Sequence, residues 1–194
     1  MRRTRQAIAD AALRLFTEHG FDHVTVAQIA TAAEVAEKTV FNYFPTKADL
    51  VFDADQDVLD ALLAAVRDRT GGESALTALR RCLAGVAGQL GEGTPPQAQA
   101  AFRRMVAGSP ALQAHQRLIA ARYERALAGV LAEETGAAPG SAEPFIAAVA
   151  LIGALRAGFD TAEHSGGRAA ATDRALDLLE AGLAGYAVKE KDTP

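Results

Sequence analysis

Two short helical patterns joined by a tight turn, within residues 25–47, constrain the fold more than any other feature of the sequence. Thr25 stands three residues before Gln28, which is the spacing of a capping box at the start of a helix. A helix from Val26 would place Val26, Ile29, Ala30 and Ala33 on one face, and we expect Ala33-Glu34-Val35 to form the turn after it. The segment therefore predicts one helix beginning at Val26 and a second helix directly after the turn.

The second of these helices has one narrow apolar seam and a polar outer face. We expect it to run from about Ala36 to Phe44, because Pro45 disfavours helical geometry at the residue before it. Val40 and Phe44 lie four residues apart and would face inward. The side chains that remain for the other faces are Glu37, Lys38, Thr39, Phe41, Asn42 and Tyr43. Such a helix suits insertion into the major groove of DNA, so the pair is typical of a helix-turn-helix motif.

Charge is distributed unevenly along the chain, although the net charge is only −4. Residues 1–47 carry six Lys or Arg and five Asp or Glu, whereas the remainder is clearly acidic. The first six residues include Arg2, Arg3 and Arg5 and no acidic residue. A basic arm attached to an acidic body indicates binding to nucleic acid in one orientation. The arm alone would also fit an N-terminus that is kept soluble by its charge.

Several classes of protein are disfavoured by features that the sequence lacks. The single cysteine, Cys82, excludes a disulfide within the chain, which fits a reducing cytoplasm. Asp10 and Arg14 interrupt the first apolar stretch, so we see no signal peptide, and the longest uncharged apolar run, residues 144–155, is too short for a bilayer. No phosphate loop, nucleophile elbow or zinc motif is present. We therefore expect a cytoplasmic protein that is not an enzyme and needs no cofactor, metal or membrane.

The rest of the chain predicts further helices and no strand. The first helix is expected at about residues 4–19, ahead of the helix-turn-helix. Thr46 is the expected N-cap of a fourth helix that continues to about Arg69, which would join the first three helices rigidly to the rest of the chain. Gly and Pro punctuate the later helices, which we expect at about residues 75–90, 97–107, 110–134, 141–163 and 170–188. The predicted fold is all-α, with about nine helices.

The N-terminal 50 residues resemble the DNA-binding domain of TetR-family transcriptional regulators. The positions that carry the resemblance are Ile8, Ala12, Leu15, Phe16, Gly20, Phe21, Thr25, Val26, Ile29, Ala30, Ala33, Val35, Thr39, Val40, Phe41, Asn42, Tyr43, Phe44, Lys47 and Leu50. The resemblance implies a helix-turn-helix DNA-binding domain at residues 1–46 and a ligand-binding and dimerisation domain at residues 47–194. Residues 109–115 also resemble a stretch in actinobacterial members, some of which sense acyl-CoA-type ligands.

Three positions depart from the pattern of that family. Glu34 occupies a turn position where Gly is usual, and Glu tolerates a positive φ poorly. Ala36 stands where a capping Ser is common, and Ala is a poor cap. Phe41 replaces a frequent Tyr and so lacks a hydroxyl for a phosphate. These changes leave the fold intact and bear on the individual DNA contacts.

The resemblance and the helical phase together assign candidate DNA-binding residues. Lys38 and Asn42 are expected at base edges, and Phe41 at a thymine methyl group. Phosphate contacts are expected from Thr25, Thr39, Tyr43 and Lys47, and backbone or minor-groove contacts from the arginine arm. The predicted set is Arg3, Arg5, Thr25, Glu37, Lys38, Thr39, Phe41, Asn42, Tyr43 and Lys47. The structural alternative is packing for Tyr43 and a solvated charge for Lys47.

Two further sets of residues are predicted in the body of the chain. A small-molecule site would combine apolar side chains with a few polar ones, and the candidates are Phe52, Leu62, Phe102, Met105, His115, Leu118, Ile119, Arg122 and Tyr123. A dimer interface is expected on the last two helices, with candidates Phe145, Val149, Ile152, Phe159, Leu176, Leu179 and Leu183. The alternative for both sets is the hydrophobic core of the chain itself.

The sequence as a whole therefore predicts a regulator that binds a palindromic double-stranded DNA operator as a homodimer. By resemblance it would act as a repressor and be released by a small apolar or acyl-type effector. The alternative is a helical small-molecule-binding or interaction protein without DNA binding.

Overall fold

The computed structural model describes residues 2–91, 96–138, 141–160 and 168–182. Within these residues the protein forms nine α-helices, one 3₁₀ helix (Ala48–Leu50) and no strand, which confirms the predicted all-α fold. The helices are α1 (Arg2–His19), α2 (Val26–Ala32), α3 (Glu37–Tyr43), α4 (Asp55–Arg67), α5 (Ala75–Gly91), α6 (Pro96–Gly108), α7 (Pro110–Thr135), α8 (Glu143–Asp160) and α9 (Arg168–Glu180). None of these described helices is both long and apolar enough to cross a membrane.

Glycine and proline set several of the helix ends. α1 ends where Gly20 takes a φ of +82° and its N–H donates to the carbonyl of Phe16 at 2.9 Å. α7 begins at Pro110, and Gly136 follows its last residue with a φ of +62°. α9 ends at Glu180, earlier than predicted, and Gly182 follows with a φ of +73°. The predicted end of this helix near residue 188 lies outside the described residues.

The segment from Thr46 to Arg69 is the main correction to the predicted fold. It is not one continuous helix but the 3₁₀ helix, a turn at residues 51–54, and then α4. Thr46 does cap a turn, because its Oγ1 accepts from the N–H of Asp49 at 3.3 Å and its own N–H donates to Asp49 Oδ2 at 2.6 Å. The prediction of one long, rigid connecting helix is therefore wrong.

Tertiary contacts at residues 52 and 53 explain this interruption. The ring of Phe52 stacks on the ring of His115, with centroids 5.4 Å apart. The backbone carbonyl of Asp53 accepts a hydrogen bond from Arg5 at 3.1 Å. Contacts of this kind outweigh the local helical preference, because helix propensities differ by less than about 1 kcal/mol per residue. The local sequence therefore predicts a helix that the long-range contacts break.

The chain forms two compact units, Met1–Leu59 with Gly93–Ala120, and Asp60–Glu92 with Ala121–Pro194. The core of the first unit consists of Ile8, Ala9, Ala12, Phe16, Phe21, Val24, Ile29, Ala30, Val40, Phe44, Leu50, Val106 and Leu112. Helical periodicity in the sequence predicts a core of Ile8, Ala12, Leu15, Phe16, Phe21, Val26, Ile29, Val40 and Phe44. Seven of these nine are in the buried core, and Leu15 and Val26 pack against it. Val106 and Leu112 come from α6 and α7. The functional division at residue 46 stays a prediction.

The second unit is built around α5, α8 and α9, with α9 packed against both of the others. Its buried side chains include Leu62, Val66, Leu79, Leu127, Leu131, Leu151, Ile152 and Leu176. Arg80 of α5 lies within ion-pair distance of three carboxylates on α9, at 2.7 Å from Asp177, 3.4 Å from Glu180 and 3.6 Å from Asp173. These acidic residues are spaced along one face of α9, so a single arginine of α5 contacts two successive turns of that helix.

Candidate nucleic-acid interface

α2 begins at the predicted capping box. Thr25 Oγ1 accepts from the N–H of Gln28 at 3.2 Å, and the N–H of Thr25 donates to Gln28 Oε1 at 2.8 Å. The box satisfies two backbone donors that a helix N-terminus leaves without a partner. Ile29 and Ala30 are buried, so α2 presents one face to the core of the first unit.

The turn after α2 has the hydrogen bonds of a Schellman motif. The N–H of Val35 donates to the carbonyl of Ala30 at 2.9 Å, and the N–H of Glu34 donates to Thr31 at 3.1 Å. Glu34 has a φ of +54° and is the one non-glycine residue with a positive φ among the residues described. The motif favours glycine at this position, so the predicted misfit of Glu34 is confirmed.

α3 follows the turn without a side-chain cap. Ala36 is extended, with φ −74° and ψ 148°, and makes no side-chain hydrogen bond to the helix. At the other end, the N–H of Phe44 donates to the carbonyl of Val40 at 2.9 Å, and Pro45 follows. The helix therefore depends on tertiary packing more than on its N-terminal cap.

The inner and outer faces of α3 lie as predicted. Val40 and Phe44 are each only 1% exposed and belong to the core of the first unit. The side chains that reach solvent are Glu37, Lys38, Phe41 and Asn42, while Thr39 and Tyr43 are half-buried beside them. Phe41 is 47% exposed, which is unusual for so large an apolar side chain. The fold thus holds a polar and aromatic surface outward on an anchored helix.

Lys47 packs against the loop between α1 and α2. Its ammonium lies 4.2 Å from the centroid of the Phe21 ring and 5.9 Å from that of Phe16. Burial lowers the pKa of Lys47, and the nearby carboxylate of Asp22 acts in the opposite direction. The structure therefore gives Lys47 a packing role that its interpretation as a purely solvated charge does not include.

Arg5 is bound to the protein's own side chains. Its guanidinium pairs with the carboxylate of Asp53, donates to the Asp53 carbonyl and lies 5.0 Å from the centroid of the Phe44 ring. Burial raises the pKa of Asp53 more than Arg5 lowers it. These contacts support the end of α3 from behind, so we remove Arg5 from the set expected to reach DNA. Arg3 is exposed and stays in that set.

Two family models match this sequence. The model for bacterial regulatory proteins of the tetR family matches residues 8–54, which include α2, α3 and the turn between them, and the MftR C-terminal domain model matches residues 73–184. The chain belongs to the TetR family of transcriptional regulators. This confirms the expectation of a DNA-binding regulator in place of an enzyme.

Curated relatives of this TetR-family chain include two actinobacterial regulators. TcmR of Streptomyces glaucescens is 33% identical over 140 residues, which are 70% of this chain and 62% of TcmR. The chain thus spans less than two thirds of the length of TcmR. The mycofactocin biosynthesis regulator MftR of Mycobacterium tuberculosis is 26% identical over 185 residues, which are 93% of this chain and 91% of MftR.

Solved structures share the fold of this TetR-family chain over nearly its whole length. A complex of SmeT with triclosan superposes with a TM-score of 0.61 at 20% identity and covers 99% of both chains. FadR of Thermus thermophilus in complex with lauroyl-CoA gives a TM-score of 0.58 at 24% identity and covers 98% of both. At these identities the likeness concerns the fold alone.

The predicted ligand-binding residues are divided between the two units. Phe52, Phe102 and His115 meet in the first unit, where Phe102 lies edge-on to Phe52 at 6.1 Å between centroids and His115 stacks on Phe52 at 5.4 Å. Met105 and Ile119 in the same unit are half-buried, and Leu118 is exposed. Leu62 and Tyr123 are buried within the second unit, and Arg122 is exposed with its guanidinium 5.9 Å from the Tyr123 ring.

The predicted dimer residues include two that belong to the chain's own core. Ile152 and Leu176 are buried within the second unit, because α8 and α9 pack against each other there, so we remove them from the proposed dimer surface. Phe145 and Val149 are exposed, and Leu179 is half-buried. Leu183 and the side chain of Phe159 lie outside the described residues. Ile146, next to Phe145 in the same apolar stretch of α8, is also a candidate from the sequence, and it is 63% exposed.

Sequence reasoning missed the partners of three aspartates that lie before α2 and after α3. Asp53, Asp49 and Asp22 are bound by side chains from distant parts of the chain, namely Arg5, His115 and Ser109. No local signal marks such pairs, because each is separated by 48 or more residues in the sequence. Within the part of the chain that the structure describes, no three His, Cys, Asp or Glu come together as a metal site.

Proposed function

We propose that this TetR-family chain is a ligand-responsive repressor that binds a palindromic operator as a homodimer through the outer face of α3. The observation that carries the proposal is the contrast between the two faces of that helix. Val40 and Phe44 are buried, whereas Lys38, Phe41 and Asn42 are exposed. An exposed donor-rich face on a helix fixed from behind is what direct readout in the major groove requires.

The base contacts that we propose follow from the donors and acceptors on this face. Lys38 donates to guanine O6 and N7, and Asn42 pairs with the N6 and N7 edge of adenine. Phe41 packs on a thymine methyl group, and Glu37 accepts from the amino group of cytosine. Lys38 and Asn42 lie four residues apart, so on a helix they point the same way and read neighbouring base pairs.

Phosphate contacts position the helix without reading the sequence. We assign this role to five residues of the first unit: Thr25 at the start of α2, Thr39 and Tyr43 on α3, Lys47 after α3, and Arg3 at the start of α1. Thr39, Tyr43 and Lys47 are half-buried, so little side-chain freedom would be lost when they meet a phosphate. Affinity for DNA should then fall as the salt concentration rises.

A homodimer supplies the specificity that one seven-residue helix lacks. Two α3 helices related by a two-fold axis and about 34–36 Å apart would enter successive major grooves of a palindromic site. We propose that the dimer forms through the exposed apolar side chains of α8, Phe145, Ile146 and Val149. The location that we propose is the cytoplasm, because bacterial DNA, which would contain the operator, lies there.

The effector that we propose is a small apolar or acyl-type molecule. Support comes from the aromatic cluster of Phe52, Phe102 and His115, which has half-buried rings and one polar edge. Triclosan and lauroyl-CoA, which occupy solved structures of this fold, are molecules of that class. The effector would release DNA by binding the DNA-free conformation more tightly than the DNA-bound one.

Fluorescence anisotropy with the DNA upstream of the chain's own gene tests the proposal. We expect wild type to bind and the variant Lys38→Ala/Asn42→Ala to lose at least tenfold in affinity, since good base contacts are each worth about 1–3 kcal/mol. Arg125→Ala is the matched control for loss of one positive charge, because Arg125 is exposed on α7 in the second unit and should leave affinity unchanged.

The outcomes separate the proposal from its alternative. If the double variant binds as tightly as wild type, the assignment of α3 as the reading surface is wrong. If wild type binds no DNA at any salt concentration while lauroyl-CoA raises its melting temperature, the chain is a ligand-binding protein without DNA binding. Release of bound DNA by lauroyl-CoA, with coenzyme A alone as the control, supports the effector class.

A further inference from the structure

The carboxylate of Asp49 serves two different partners just after α3. Its Oδ2 accepts from the N–H of Thr46 at 2.6 Å and from the Thr46 hydroxyl at 2.8 Å. Its Oδ1 lies 3.1 Å from Nε2 of His115, on α7. Thr46 stands only three residues beyond Tyr43, the last residue of α3. One side chain thus links the exit from α3 to a residue of α7 that lies 66 positions further along the chain.

The imidazole of His115 stacks on the ring of Phe52 and also contacts Asp49 through its edge. Its ring is nearly parallel to that of Phe52, at an interplanar angle of 16°, and its side chain is 19% exposed. Phe52 in turn contacts Phe102 of α6 edge-on. The segment between α3 and α4 is therefore bound to α7 by a polar contact and to both α6 and α7 by aromatic ones.

A second polar contact involves the chain just before the helix-turn-helix. Ser109, the residue between α6 and α7, is buried, and its hydroxyl donates to Asp22 Oδ1 at 3.1 Å. Asp22 lies in the loop between α1 and α2. The start of α7 thus reaches the chain both before α2 and after α3, and Leu112 is fully buried in the same core between these two contacts.

The interruption of the chain at residues 51–54 makes these contacts important. Because α4 does not begin until Asp55, no continuous helix fixes α3 through the backbone. The contacts from α6 and α7 then hold the exit of α3 in place together with those of Arg5 and Lys47. All of them lie within the first compact unit.

We propose that Asp49 and His115 are positioning residues through which the start of α7 sets the orientation of α3 for DNA. The inference rests on the proposed reading of DNA by α3, and it names a connection that acts without touching DNA. A shift of α7 that separates His115 from Asp49 frees the exit of α3 and weakens operator binding. By linkage, a bound operator strengthens the His115–Asp49 contact to the same extent.

Two variants of His115 separate its polar contact from its aromatic one. His115→Gln keeps an amide donor near the position of Nε2 and loses the stacked ring, whereas His115→Phe keeps the ring and loses the donor. We expect His115→Phe to lower DNA affinity roughly tenfold and His115→Gln to stay within about threefold of wild type. Gln113→Ala is the matched control, because Gln113 donates to Ala107 at 2.7 Å within the α6–α7 junction and should leave affinity unchanged.

A double-mutant cycle with Asp49→Ala tests whether the two residues act together. If they do, His115→Phe costs little further affinity in the Asp49→Ala background. Equal costs in both backgrounds, or loss of affinity in His115→Gln with retention in His115→Phe, would overturn the inference. Circular dichroism and melting temperature identify any variant that does not fold, and His115→Asn then replaces His115→Phe as the variant without the donor at the Nε2 position.

Amide hydrogen exchange without DNA keeps this test separate from that of the proposed function. We expect faster exchange at residues 38–46 in His115→Phe than in Gln113→Ala, because α3 loses its hold at the C-terminal end. Unchanged exchange in His115→Phe contradicts the inference even if wild type binds DNA. If His115→Phe exchanges faster but the wild type binds no DNA, the connection between α7 and α3 is supported and only the proposed function is refuted.

Discussion

The ammonium of Lys47 lies 4.2 Å from the centroid of the Phe21 ring, so the segment after α3 is packed directly on the loop between α1 and α2. A cation–π contact of this kind is worth about 0.5–1 kcal/mol at an exposed site and more when it is desolvated. In the proposed complex with DNA, the same ammonium would also contact a phosphate. Lys47 therefore links the stability of the three-helix bundle to the proposed binding of DNA.

Replacement of Lys47 by Met should lower both stability and DNA affinity. Met keeps the apolar stem but removes the charge, so we expect the free energy of unfolding to fall by about 0.5–1 kcal/mol. We also expect the slope of log affinity against log salt to become shallower by about one, because one phosphate contact is lost. Urea denaturation and anisotropy titrations at several salt concentrations measure the two effects. Lys47→Arg should keep the wild-type free energy of unfolding and the wild-type salt slope. An unchanged slope in Lys47→Met would exclude the phosphate contact.

Replacement of Glu34 by Gly should stabilise the protein. Glu34 sits at φ +54° in a Schellman turn, where a side chain costs about 1–2 kcal/mol relative to glycine. The extra freedom of glycine in the unfolded chain offsets part of that gain. We expect a net increase of about 0.5–1 kcal/mol in the free energy of unfolding, measured by urea denaturation. Glu34→Ala keeps the Cβ and should bring no gain, so equal stabilisation by both variants would point to the charge as the cause.

Replacement of Ala36 by Ser should stabilise α3 through its N-terminus. Ala36 already has the extended backbone of an N-cap but offers no side-chain acceptor to the first turn. A Ser hydroxyl there can accept from the N–H of Lys38 or Thr39, which is typically worth about 1 kcal/mol. The expected signs are a higher urea midpoint and slower amide exchange at residues 38 and 39. Ala36→Val is the control, because Val offers no hydroxyl to the first turn and is as poor a cap as Ala, so it should bring no such gain.

Local patterns predicted much of the helix-turn-helix, because these patterns depend on residues close in sequence. The capping box at Thr25, the misfit of Glu34 and the two faces of α3 all follow from spacings of three or four residues and from backbone preference. The core of the first three helices follows from the same periodicity. These features need no knowledge of distant parts of the chain.

The connections of that surface could not be predicted in the same way. Arg5 belongs to a basic N-terminal arm of the kind that contacts DNA, but in the structure it pairs with Asp53. Phe52 stacks on His115, and the helix that the residues around Phe52 favour is interrupted there. Each depends on a partner that the fold supplies from far along the chain. The same holds for Ile152 and Leu176, whose apolar spacing fits a dimer surface as well as a core. Periodicity reports that a face is buried but not by which partner.

The exposed apolar face of α8 gives the sharpest test of the proposed dimer. Ile146, Val149 and Gly153 recur at helical spacing, and Phe145 lies beside them. Ile146 and Phe145 are 63% and 48% exposed in the single chain, and a Cβ added at Gly153 would meet no atom within 4 Å. A single chain should thus tolerate changes here that a close contact between two α8 helices would not.

Ile146→Glu and Gly153→Leu should therefore each convert the dimer to a monomer of 20.2 kDa, measured by light scattering during size-exclusion chromatography. The first buries a charge in the interface, and the second separates the helices without adding polarity. Leu13→Glu is the matched control, because Leu13 on α1 is 51% exposed and should leave the dimer intact. Both monomeric variants should keep the wild-type circular dichroism spectrum while losing tight binding to a palindromic site. If both remain dimeric, the two chains associate through another surface, and the spacing of the two α3 helices must be set there.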